Sequence, residues 1–358
     1  MQDLLLLSKD IPIAKIRNCI AEPLIPERLP LYFKYNGNAR LWLESRAVDG
    51  HRTNSRLLKK VLRLAHKDDL TTVLAVNAAT ITDNFWVKPL DDNTLGYSEV
   101  RFKINLFDNL ALTGSVDSFD QPPGRTPELT NTGSFEKCWR LENGQWWMYK
   151  SGKEEELFSE LLAYKIGKLL NCPMAEYRPA DGFIKSLDFT GNARVDFEPV
   201  AGIIGDEFDY IKIYNALRAI SADIAKQYVL MCYFDGLIFN MDRHEYNFGV
   251  LRNCDTGEVL GSAPFFDHNV ALVARGYPGS IPKDMLITDF AALIQHIGNP
   301  IHIIKLTESK IRDAVHSLPF TPPSTNTVLL PKEFTVQYLL RRQEALKDYC
   351  SDLIQYTD

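Results

Sequence analysis

The sequence predicts an α+β protein in which a small α/β segment precedes a strand-rich half and then a helix-rich half. Three observations carry that order. From Phe135 to Val200 strand-like runs joined by turn residues dominate, with one helical pattern among them. From Ser221 onward apolar residues recur at helical spacing. Ahead of both lies Asp117 to Thr132, dense in Pro, Gly, Thr and Asp, which is the composition of turns and linkers. The segments drawn on this basis are 1–126, an α/β part without assignable chemistry, 127–200 and 201–358.

The elements follow in chain order. NARLWLESRAV, around Arg40 to Val48, alternates like a strand, and so does YSEVRFKINLF from Tyr97. SRLLKKVLRLAHK, Ser55 to Lys67, has helical spacing. FEKCWRLENGQWWMYKSG reads as two strands joined by Asn143-Gly144, a hairpin signal. Glu154 to Leu170 is an amphipathic helix, and GFIKSLDF and ARVDFEPV read as strands. SADIAKQYVLMCYFDGLIF is apolar on most faces and so reads as a buried helix. MLITDFAALIQHI, IHIIKLTESKIRDAVHSL and VQYLLRRQEALKDYCSDLIQY read as further helices, with a loop at Pro319 to Thr327 before the last. No internal repeat is visible.

Composition narrows the function classes. At about 150 residues per domain, 358 residues give two domains or three small ones. Hydrophobic residues make up 45% and charged ones 24%, the balance of a globular chain, not of a disordered one. Forty Lys and Arg against 46 Asp and Glu leave a net charge of −6, which argues against broad nucleic-acid binding. MQDLLLLSKD has four leucines between Asp3 and Asp10, too short and acidic for a leader, and no run reaches membrane-helix length. Six scattered cysteines without a CxxC read as reduced thiols, so the expected location is the cytoplasm.

The sharpest local signal is NMDRHEYNFG, Asn240 to Gly249. Asp242 and Asn247 have the D-x-x-x-x-N spacing of a kinase catalytic loop, where the Asp takes the acceptor hydroxyl's proton and the Asn amide oxygen is a hard ligand for magnesium. The spacing alone arises often by chance. A hairpin later, FGVLRN to EVLGSAPFF with its turn at Asp255 to Gly257, comes Asp267 in PFFDHN, where a second magnesium ligand belongs. Lys150 ends the apolar run QWWMY, so a strand would deliver its ammonium to phosphates; a solvated surface lysine is the plainer alternative. Glu160 falls on the apolar side of its helix and needs a cation, with Lys150 the nearest candidate. TNTGSFEK, Thr130 to Lys137, forms a small-residue turn whose N–H groups could cradle phosphates, though it is no Walker motif. His244 reads as a loop brace and His268 as a neighbour of a metal ligand; HExxH and G-x-S-x-G are absent from the sequence. Trp146, Trp147 and Phe234 read as core.

Taken in order, these motifs resemble the HipA-like serine/threonine kinases: TGSFEK as phosphate loop, MYKSG as nucleotide lysine, NMDRHEYNFG as catalytic loop and APFFDHN in the DFG place. The resemblance runs from about Thr130 to His268, and DHN departs from DFG. It implies a two-lobed protein-kinase-like fold, a strand-rich N-lobe over 127–200 and a helical C-lobe over 201–358, preceded by the α/β segment. It implies Asp242 as catalytic base, Asn247 and Asp267 as magnesium ligands, Lys150 on the phosphates of ATP, and Gly133 and Ser134 in the loop, with Ser134 open to autophosphorylation. Phe197 and Glu198 fall near the hinge that would hold the nucleotide. The expected activity is ATP- and Mg2+-dependent transfer to a protein Ser or Thr, with room for a regulatory protein partner and with no nucleic-acid or membrane binding. A small-molecule or lipid kinase and a non-catalytic, toxin-type binding module are the alternatives.

Overall fold

Leu4–Ser8, the leucine run at the start of the chain, is the strand around which the first part of the structure is built. The computed structural model describes residues 2–120, 124–277, 285–322, 324 and 331–357. The chain forms two units and visits them alternately: Met1–Ser151, Ala180–Ile203 and Gly249–Leu260 make the first, Gly152–Pro179, Ile204–Phe248 and Gly261–Asp358 the second. These units are drawn on different lines from the three sequence segments, because the chain returns to the first unit twice after residue 151.

In the first unit an antiparallel sheet has the order Ile20–Pro23, Ile11–Arg17, Leu4–Ser8, Phe85–Pro89. Leu4 and Leu6 join one apolar cluster with Ile16, Trp42 and Val87, whereas Leu7 joins another with Leu58, Trp86 and Phe107. A strand covered on both faces has no need of polar alternation, which is why this one reads as an unbroken leucine run. Lys137–Glu142 pairs antiparallel with Gln145–Lys150, and that strand with Phe183–Leu187. The hairpin turn falls at Asn143 and Gly144 as expected, both with positive φ (50° and 78°), the geometry of a type I′ turn.

Val195–Pro199 pairs antiparallel with Gly249–Asn253. Arg252, fully buried there, donates to the carbonyls of Glu27 (2.8 Å), Leu29 (2.8 Å) and Gly257 (2.9 Å) and forms an ion pair with Glu198. Gly257 has φ +76°, and a β-carbon there would stand 2.0 Å from the Glu27 carbonyl oxygen, so only glycine closes this turn.

The second unit is mostly helical: Glu154–Leu169, Tyr210–Ile220, Ala222–Ile238, Met285–Ile297, Glu308–His316 and Pro331–Cys350. Ala222–Ile238 is buried along most of its length, as its apolar faces predict.

Four local expectations are corrected. Arg40 to Val48 is not a strand: Ala39–Glu44 is a helix capped by the Asn38 side chain, which accepts from the Arg40 and Leu41 N–H groups, and it buries Ala39, Trp42 and Leu43. The Tyr97 segment makes one helical turn, Tyr97–Val100, started by Glu99 accepting the Gly96 N–H. The helix expected over Ser55 to Lys67 is Thr53–Val61, broken by left-handed Arg63 and His66. Ile301–Ile304 begins no helix but pairs in parallel with Ile354–Thr357, and Thr307 then caps the following helix. The supposed linker is buried from Thr126 to Asn131. Its residues 121–123, like 323 and 325–327 of the Pro319 to Thr327 loop, lie outside the described residues. No described helix is long and apolar enough to cross a membrane.

Two tests follow from the buried charges of the first unit. Arg252→Met strands the Glu198 carboxylate in the interior and should cost about 3–5 kcal/mol in urea unfolding, with Arg252→Met/Glu198→Gln costing clearly less. Burial, helped by repulsion from Asp83 and Glu198, pushes the Asp196 carboxyl from 3.8 up to about 7 against the hydrogen bonds from Asn84. A carboxyl raised in the folded state binds its proton there and not in the unfolded chain, so stability falls as pH rises from about 4 through about 7. Glu128, pushed to about 7 by burial, adds to the same slope. Asp196→Asn should flatten the loss of urea midpoint between pH 5 and pH 8.

Candidate functional site

The helix Ala222–Ile238 ends at Phe239, whose left-handed backbone (φ 54°) turns the chain into the Asn240 to Gly249 loop. Asp235 sits in its last turn, buried, and a buried carboxylate needs partners. It receives Nε (2.9 Å) and Nη2 (3.0 Å) of Arg243 in a two-point ion pair, and Asn240 Nδ2 at 2.8 Å. The remaining Arg243 nitrogen, Nη1, donates to the carbonyls of Asn247 (2.5 Å) and Phe266 (2.9 Å). One guanidinium therefore holds the end of the helix, the far side of the loop and the residue before Asp267.

Within the loop the Asp242 carbonyl accepts the His244 N–H (3.0 Å) and Asn247 Nδ2 (2.9 Å), while Asn247 N–H donates to the His244 carbonyl (2.8 Å). His244 Nδ1 accepts the Tyr246 N–H at 3.2 Å, so the ring does brace the loop. Asp242 is half-buried, and that burial raises its carboxyl above the usual carboxylate range; His244 draws it down, and the nearby charge of Asp267 pushes it up again. Asp267 holds a left-handed conformation (φ 63°), which Asp tolerates better than most residues, and its N–H donates to Tyr177 Oη at 3.1 Å. The next N–H, of His268, donates to Glu160 Oε1 at 3.1 Å, so Glu160 anchors the segment that carries Asp267. His268 is buried with its ring edge-on to Phe234, 5.4 Å between centroids.

The second unit thus brings Asp242, Asn247, Asp267 and Glu160 together. Among the described residues no group of three or more His, Cys, Asp or Glu side chains is placed so as to hold a metal ion by itself. Two neighbouring carboxylates and an amide oxygen are a hard donor set of the kind Mg2+ accepts while keeping its other positions for water and phosphate oxygens.

The other expected residues lie in the first unit. Gly133 has φ +93° and Ser134 is exposed in the turn before Lys137–Glu142. Arg52, buried ahead of the Thr53–Val61 helix, donates to the carbonyls at both ends of that turn, Asn131 (2.9 Å) and Lys137 (2.5 Å). Glu136 accepts the Asn54 N–H at 3.1 Å, so the first unit's early residues fasten the turn from outside. Lys150 ends its strand as expected but is buried, not a solvated surface residue. Phe197 donates its N–H to Thr82 (2.9 Å) and packs edge-on against Phe189. The Glu198 side chain is engaged by Arg252 and by the Leu31 N–H (2.5 Å), a bracing task inside the unit.

Three residues escape the sequence reading: Arg243, Asp235 and Arg52. An Asp inside a helix apolar all round was the available signal for the first two. Arg52 offered none, since it contacts the turn from 79 and 85 residues away.

No protein-family model matches the chain, and no curated protein sequence does. Among solved structures, HipA of the Shewanella oneidensis MR-1 toxin–antitoxin system, determined with HipB and operator DNA, is similar over 98% of both chains with a TM-score of 0.56 and 13% identity. The Helicobacter pylori proinflammatory kinase CtkA is similar over 61% of this chain and 94% of its own, with a TM-score of 0.45 and 19% identity. The chain shares its fold with HipA, and the likeness extends into the first 126 residues, for which the motifs offered no counterpart.

Arg243→Met should leave Asp235 buried without its charge partner and cost about 3–5 kcal/mol in chemical unfolding. Arg243→Lys keeps the charge but not the fork, and should still speed amide exchange at Asn247.

Proposed function

We propose that the chain is an ATP- and Mg2+-dependent phosphotransferase acting on a serine or threonine hydroxyl of a protein. The observation that supports it best is the loop held by Arg243, which sets a half-buried Asp242 beside Asp267 with Asn247 bonded back to the Asp242 carbonyl. In this reading Mg2+ supplies charge neutralisation of the phosphates, and Asn247 and Asp267 are the residues that would hold it. Lys150, Gly133 and Ser134 would bind the nucleotide's phosphates, and Glu160 would fix the Asp267 segment. Asp242 accepts the proton of the acceptor hydroxyl as that oxygen bonds to the γ-phosphorus and the bond to the β-phosphate oxygen breaks. A raised carboxyl suits that task, because its basicity is higher than that of an ordinary aspartate.

Ser134 is the proposed site of autophosphorylation. A phosphate there adds about −1.5 to −2 charges next to the nucleotide's own and would repel it. The HipA neighbour is one half of a toxin–antitoxin pair. A protein partner for this chain is part of the same proposal.

Incubation with γ-labelled ATP and Mg2+ separates the readings. Label on protein supports the proposal, label only on a small acceptor moves it to a small-molecule or lipid kinase, and ATP binding without transfer points to a binding module. Asp242→Ala should lower kcat by about 10²–10⁴ while leaving ATP affinity near normal. Asp267→Ala should weaken binding of the magnesium nucleotide as well. Wild-type turnover in Asp242→Ala would overturn the assignment.

A further inference from the structure

The helix Thr53–Val61 carries a stripe of positive charge to which the proposed function assigns no task. From residue 50 to residue 67 the sequence has six Lys and Arg and no Asp or Glu, in a chain whose net charge is −6. The inner side of the helix faces the core, where Leu58 and Leu62 join the apolar cluster around Trp86 and Phe107. Arg52 and Asn54 are bonded to the turn before Lys137–Glu142, and Lys59 pairs with Asp69 at 3.2 Å. Arg56, Lys60 and Arg63 are left exposed, without an ion pair among the described residues.

This arrangement opposes stability in two ways. Arg56 and Lys60 are four residues apart, so they meet on one helix face as like charges. The first turn holds no acidic residue to offset them. Arg63, just past the C-cap Leu62, has a left-handed backbone (φ 59°). Its N–H donates to the Lys60 carbonyl (3.1 Å) and the Leu64 N–H to the Lys59 carbonyl (2.7 Å). That is the Schellman ending of a helix, whose left-handed position is ordinarily glycine. Arginine there holds a cation at the end of the stripe in a strained conformation.

We propose that Arg56, Lys60 and Arg63 form a docking face for an acidic, extended segment of a partner protein. Charge complementarity names the acid, and spacing names the extended form. Arg56 and Lys60 stand about 6 Å apart along the helix axis, and same-side carboxylates on an extended chain recur at about 7 Å. Residues 50 to 67 include no Phe, Trp or Tyr, and the one amide side chain, Asn54, is buried, so nothing on this face meets a nucleic-acid base. The proposal deepens the partner part of the proposed function and does not depend on phosphoryl transfer.

The test is fluorescence anisotropy of the full chain at low ionic strength with a fluorescein-labelled decapeptide of alternating Glu and Ala. A Lys and Ala decapeptide and an oligothymidylate serve for comparison. The Glu peptide should bind, the Lys peptide should not, and added salt should weaken the complex. Arg56→Gln/Lys60→Gln should weaken it about tenfold. Arg63→Gly should also weaken binding while raising the urea midpoint, because glycine takes the left-handed conformation without strain. A lowered midpoint would make Arg63 a structural residue and overturn its place in the face. The proposal is overturned if the wild type does not bind the Glu peptide, if the folded double variant binds it undiminished, or if the oligothymidylate binds more tightly. Transfer from γ-labelled ATP is read separately, so either result can fail without the other.

Discussion

The two-point ion pair between Arg243 and Asp235 is the interaction on which the Asn240 to Gly249 loop of the second unit depends. Both groups are buried, and taking them from water is costly unless every donor and acceptor is used. Here Arg243 serves two further carbonyls and Asp235 a further amide, so the cost of burial is offset by bonds that also fix geometry. The positions of Asp242, Asn247 and Asp267 are set by main-chain contacts to this pair and to each other. Packing alone would not fix three polar side chains on a loop as closely as the proposed phosphoryl transfer needs.

The helix-rich part of the fold was largely legible, and the reason is periodicity. Ala222–Ile238 and Glu154–Leu169 are long enough for burial to leave its imprint on the spacing. The misreadings are short elements. Ala39–Glu44 is a helix because Asn38 caps it and Trp42 and Leu43 turn inward together, while its alternating letters imitate a strand over so few residues. Leu4–Ser8 hid for the opposite reason, since a strand buried on both faces carries no alternation. Ile301–Ile304 takes its partner from the far end of the chain, and nothing local marks such a pairing.

For the candidate site, spacing picked out the residues that the proposed function assigns to ligand, and could not pick out the residues that hold them. Asp242 and Asn247 are separated by one loop and so leave a motif. Arg52 meets Lys137 only through the fold, and Glu160 meets the His268 N–H, not a spacing partner. Glu198 shows the same limit from another side. The sequence places Glu198 near a hinge without saying what its side chain does; the structure gives that side chain to Arg252 and the Leu31 amide.

The alternation of the chain between its units bears on how the protein comes into being. Leu4–Ser8 is complete as soon as the ribosome has made it, yet Arg28 waits for the Cys254 carbonyl (2.9 Å) and Lys9 for Asp255 (2.7 Å). The first unit to begin is therefore closed only by residues synthesised long after most of its strands. Until then its sheet is unfinished in the presence of a nascent second unit, and at about 5–20 residues per second that interval lasts tens of seconds. Contacts of such sequence separation favour slow folding. The translation machinery thus delivers one folding unit with a late clasp, not two domains in succession, and a fragment cut after Ser151 would lack that clasp.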